Sequence, residues 1–164
     1  MTKQKALVFL SEIDNELSMI KQTVETIVDR LEMLKVKYET EDYSAYIESI
    51  ALNLQSFYEG IETVFEKVID LTGEEKPAGS GWHIELIERM TLPIKRLRPE
   101  VISFKTAQSI DTFRAFRHRI RHLYGFMVIP ENVITIAEEA RNVYEDLRND
   151  LVKFMEFAEE ITKI

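Results

Sequence analysis

Arg117, His118, Arg121, His122 and Tyr124 crowd into eight residues, and Arg114 lies one helical turn before them. From Arg114 to His122 the chain places four arginines and two of its three histidines. A guanidinium grips a phosphate through paired N–H donors, and an imidazole carries a proton near neutral pH. Together they suit phosphodiester cleavage, in which Arg stabilises the added negative charge and His moves the proton. RNA cleaved by its own 2′-hydroxyl needs no metal ion, so no cofactor is expected.

Two other readings fit the same residues. His118 and His122 are four apart, a spacing that metal sites use. The arginines around them would repel a cation, and no carboxylate lies close by on the same stretch. The histidines could also be surface residues without a role.

Charge sharpens the contrast. The chain has 164 residues and a net charge of −8. Residues 95–122 hold eight Lys/Arg against Glu100 and Asp111, a local balance of +6, which leaves −14 for the rest. So acidic a chain does not attract nucleic acid through its whole surface, but a local basic patch can. A solvated helix face, or a face that meets an acidic partner, is the plainer account of such a patch.

The elements that must position these residues read as helices. Ile13, Leu17, Ile20, Val24, Ile27, Leu31, Leu34 and Tyr38 alternate in steps of four and three, the seam of a helix over residues 3–39. The same pattern runs from about Asp42 to Leu71, with Gly73 as a C-terminal stop. Residues 73–81, GEEKPAGSG, break it as a loop. A short helix is expected from Trp82 to Met90, a short helix or turn at Pro99, and a helix from Thr106 to Tyr124 that carries the basic cluster. The last helix spans Glu131 to Ile161, with a seam from Val133 to Ile161. No alternating strand pattern competes. The expectation is an all-α antiparallel bundle with a four-helix core and one or two extra short helices, forming one domain over residues 1–164. Cysteine is absent, so disulfides and thiolate metal sites are excluded. No apolar run is long enough to span a bilayer and no targeting segment stands out, so the chain reads as cytoplasmic and without a membrane partner.

On an ideal helix Phe113, Phe116, Ile120 and Leu123 share one face, the expected core side. Arg114, His118, Arg121 and His122 fall within about 100° on the other, with Arg117 and Tyr124 on an edge between.

Arg117 to Tyr124 matches R-x-x-x-x-H-x-Y without a gap. This resembles the signature of HEPN-domain ribonucleases, specifically HepT-type toxins of HEPN–MNT toxin–antitoxin pairs, in which the motif comes late in an all-α bundle, before a final helix. The resemblance implies a metal-independent RNA endonuclease toxin, with tRNA the first-guess substrate. It implies Arg117 as the phosphate-binding group, His122 as the acid–base group and His118 as an auxiliary polar contact; Arg114 and Arg121 are further auxiliary candidates. Tyr124 would be the residue that a cognate MNT-type nucleotidyltransferase antitoxin modifies with AMP. Arg117 and His122 are five apart, about 140° around an ideal helix. Either the helix end unwinds near Gly125, or two copies share a cleft across a two-fold axis. The family builds a homodimer of the second kind, and the angle favours it. The competing reading is a non-catalytic HEPN bundle that binds a nucleotide or a nucleotidyltransferase.

Weaker candidates lie outside the motif. Trp82, beside His83, would stack on a base if exposed or anchor the core if not. Lys95, Arg96 and Arg98 would extend a phosphate track, or simply line a solvated turn.

Overall fold

A computed structural model describes residues 3–162. Five helices follow one another: α1 (Lys3–Lys37), α2 (Tyr43–Thr72), α3 (Trp82–Thr91), α4 (Phe104–Ile120) and α5 (Pro130–Thr162), with a 3-10 turn at Gly125–Met127 before the last. Among the described residues there is no strand, only an isolated bridge between Ile94 and Arg98. The fold is an all-α bundle, as the periodicity required. Met1, Thr2, Lys163 and Ile164 of the expected 1–164 unit lie outside the described residues.

The seams meet in one continuous core. Cross-links fix the antiparallel order of α1 and α2. Glu12 meets Lys67, and Arg30 lies over the Tyr46 ring. Between them Gly60 lets the helices close: a Cβ there would stand 2.7 Å from Cγ1 of Ile20. Its small helix-propensity cost therefore serves tight packing. Helix α2 ends at Gly73, whose φ of 75° is left-handed and whose N–H donates to the Ile69 carbonyl.

Helix α4 is held at both sides. Ser103 caps it by accepting from the Thr106 N–H. Asp150 of α5 accepts from the Ser103 N–H at 2.9 Å and the Thr106 hydroxyl at 2.7 Å. Phe113 packs on Phe57 of α2, ring centroids 4.8 Å apart.

Several expectations change. Helix α4 stops at Ile120, not Tyr124. Leu123, expected on the core face, is 43% exposed. Its N–H turns back to the Ile120 carbonyl three residues away, the tightening typical of a helix end. Tyr38 and Ile161, the last residues of their seams, are also exposed, because each lies beyond the core that its helix covers. Pro99 opens no helix; it follows the turn that the Ile94–Arg98 bridge closes.

Residues 73–81 gain a structural role. The Glu74 carboxylate binds Arg98, whose side chain is fully buried and also donates to the carbonyls of Arg89, Leu92 and Pro99. Arg98 therefore cannot belong to a phosphate track. It ties the loop after α2 to the loop after α3.

Candidate functional site

The basic cluster occupies the solvent-facing end of α4 and the link to α5. Helix α4 reaches it as a rod whose Phe113, Phe116 and Ile120 are buried, which turns the intervening residues outward. His118, Arg119, Arg121, His122 and Tyr124 are all exposed, while Arg114 and Arg117 are half-buried.

Among the described residues, every one of these side chains but Arg119 has a defined partner. Arg117 Nε donates to Glu59 Oε1 of α2 at 2.9 Å. Arg114 donates to Asp111, one turn earlier. Arg121 Nε donates to His122 Nε2 at 3.0 Å, so in this contact the ring proton sits on Nδ1. The rings of His118 and His122 meet edge-on, centroids 6.2 Å apart. Tyr124 is extended, 72% exposed, and lies parallel to Phe126 at 5.7 Å. Its hydroxyl is thus not that of a half-buried aromatic at a helix end.

Within the chain the structure brings His118, Arg121 and His122 together. It leaves Arg117 directed at α2, and among the described residues no hydrogen bond joins Arg117 to His122. Unwinding past Ile120 therefore does not by itself bring these two groups into contact.

Behind the arginines lies a buried polar group that the sequence did not signal. The Tyr58 hydroxyl donates to Glu62 Oε2 at 2.8 Å, and the same oxygen binds His83 Nδ1. Trp82 stacks on His83, centroids 3.8 Å apart, so it is engaged within the fold on one face. Burial, with the charge and hydrogen bond of Glu62, pushes the Tyr58 hydroxyl well above its ordinary pKa. The charges of Arg114 and Arg117 act in the opposite direction, so both guanidiniums are within electrostatic reach of it. Glu59 and Glu62, one turn apart on α2, thus back the Arg114–Arg117 edge of α4. Only the pairing of α2 with α4 reveals them; nothing in the local pattern marks either carboxylate. Gly125 is a further contact of this kind: a Cβ there would come within 3.1 Å of the Glu48 carboxylate on α2.

Among the described residues, no group of three or more His, Cys, Asp or Glu could hold a metal ion. Among the described residues no helix is long and apolar enough to cross a membrane.

The Arg–His–Tyr series begins in the last turn of α4 and ends in the link to α5. The family model for HepT-like proteins matches residues 49–158, from early α2 to near the end of α5. The chain belongs to that family and is a HepT-type HEPN-domain protein. Compared with curated proteins and with solved structures, the chain finds no match.

Proposed function

We propose that the protein is the toxin of a HEPN–MNT pair, an RNA endonuclease that works without a metal ion or cofactor. One observation carries the reading: Arg117, His122 and Tyr124 stand in the family's motif spacing at an exposed helix end backed by α2 carboxylates. Arg117, held through Nε, keeps its two Nη groups to grip the scissile phosphate. His122 takes the proton of the 2′-hydroxyl as its oxygen bonds to phosphorus. The bond to the 5′-oxygen breaks, that oxygen takes up the proton His122 had gained, and a 2′,3′-cyclic phosphate remains. His118, Arg121 and Arg114 supply auxiliary donors around the phosphate. The substrate class is RNA, with tRNA the first candidate, and the setting is the cytoplasm.

The separation of Arg117 from His122 within one protomer supports a homodimer with a shared cleft. Leu123, Phe126, Met127 and Ile129 form an exposed apolar patch beyond His122, the kind of surface that a second copy covers, with the Tyr124 hydroxyl left at its rim. Residues 1–164 are taken as one HEPN-like domain in each protomer.

Regulation would act at Tyr124. A cognate nucleotidyltransferase would attach AMP to its exposed hydroxyl, placing a phosphate among the same arginines and blocking the cleft. A purified-protein assay on total tRNA with excess EDTA tests the reading: cleavage should persist. Folded protein that binds a nucleotidyltransferase but cleaves no RNA would instead support a non-catalytic docking bundle.

A further inference from the structure

A groove of about 390 Å³ runs between α3 and α4. Ile87 and Ala107 form its buried floor, while Ile84 and the 70% exposed Phe104 stand open to solvent beside it. Phe104, Gln108, Arg114 and His118 fall within about 120° on α4, so one helix face leads from the groove to the basic cluster. Phe104 and Arg114 are separated by about 15 Å of helix. The groove's other end, at Thr91, leads into the exposed turn that bears Lys95 and Arg96. Neither of these cations forms an ion pair among the described residues.

The result is an aromatic-edged channel with an apolar floor, flanked beyond one end by the basic cluster at His118 and Arg121 and beyond the other by Lys95 and Arg96. We infer that it seats unstacked nucleobases of the single strand next to the scissile phosphate, with Phe104 as the stacking surface. The scissile phosphate lies at the basic cluster beyond one end, and a flanking phosphate meets Lys95 and Arg96 beyond the other. This assignment rests on the nuclease reading above. The pattern favours a nucleic acid strand over a protein partner because phosphates and bases alternate between charge and apolar area as this surface does. Two carboxylates also line the groove. Asp111 is already bound by Arg114, and Glu88 can accept from a base amino group, whereas it would repel a phosphate.

The test uses the full chain and uncleavable 2′-O-methyl RNA 12-mers, one of each base composition, followed by fluorescence anisotropy at low salt. Phe104→Ala should weaken binding about tenfold, and Phe104→Trp should retain it, since aromatic stacking is tolerant of ring type. Thermal melts of both variants should match the parent because the side chain is exposed. Unchanged binding by Phe104→Ala, with binding lost in Arg117→Ala, overturns the groove assignment and leaves the nuclease reading standing. Absence of binding by the parent protein to every oligomer overturns both. If Phe104→Ala binds RNA normally but no longer captures the nucleotidyltransferase, the groove is a protein-docking surface and the assignment fails.

Discussion

Arg117 Nε and Glu59 Oε1 lie 2.9 Å apart, joining the motif helix to α2 across residues 58 positions apart in sequence. The contact uses the Nε side of the guanidinium and leaves its Nη edge free for a bidentate phosphate. If Arg117 grips the phosphate as proposed, Glu59 acts as a positioning residue. Glu59→Ala should lower kcat for RNA cleavage about tenfold, with Glu59→Gln keeping part of the activity. The pair is partly exposed, so its loss should cost no more than about 1 kcal/mol of stability. Steady-state kinetics beside a thermal melt check this: an unchanged kcat, or a large fall in Tm, would reject the positioning role.

Arg117→Ala and His122→Ala should each abolish cleavage and toxicity without unfolding the bundle. His122 is exposed and Arg117 only half-buried, and neither belongs to the apolar core. Mixing the two inactive chains should restore activity if one working site draws Arg117 and His122 from different protomers. Sedimentation should then show a dimer at micromolar concentration; full activity from a proven monomer would refute the shared cleft.

Tyr124 should accept AMP. The residue is 72% exposed, and its ring pairs with Phe126. Co-expression with the cognate nucleotidyltransferase should produce mass increments of one AMP, lost in Tyr124→Phe, and the modified protein should be inactive yet melt normally. Increments that persist in Tyr124→Phe would point to another acceptor.

The buried Glu74–Arg98 pair should govern acid stability. Burial opposes ionisation of Glu74, but hydrogen bonds from Arg98 and Thr72 and the charges of Arg98 and Arg89 outweigh it and hold the carboxyl below its ordinary range. A carboxyl whose pKa is depressed by folding stabilises the protein above its unfolded pKa, and that contribution is lost as pH falls through the folded value. Stability should therefore drop on acidification, less so in a Glu74→Gln variant that has already lost the contribution. Arg98→Ala at neutral pH leaves Glu74 buried without its partner and should cost about 3–5 kcal/mol, roughly 10 °C in Tm. Circular dichroism melts across the acid range measure both effects.

The sequence by itself determined the helices and the order of the motif. Ile47 to Leu71 and Val133 to Ala158 repeat at three and four residues, and in α2 Ile47, Ile50, Leu54, Phe57, Ile61, Val64, Val68 and Leu71 are all buried. That pattern is local, since 3.6 residues per turn place such positions on one face whatever the helix packs against. Arg117, His122 and Tyr124 are equally legible as a spacing. Tertiary structure alone decided where α4 ends, because helical periodicity continues through Leu123 but no core remains there to bury it. It also decided which cations are free. Arg98 looked like a companion of Lys95 and Arg96, yet it is enclosed by Glu74 and three backbone carbonyls. Glu59 and Glu62 gained their places behind Arg114 and Arg117 only when α2 packed against α4. Such pairings join residues far apart in the chain, and helical periodicity within one segment carries no information about them.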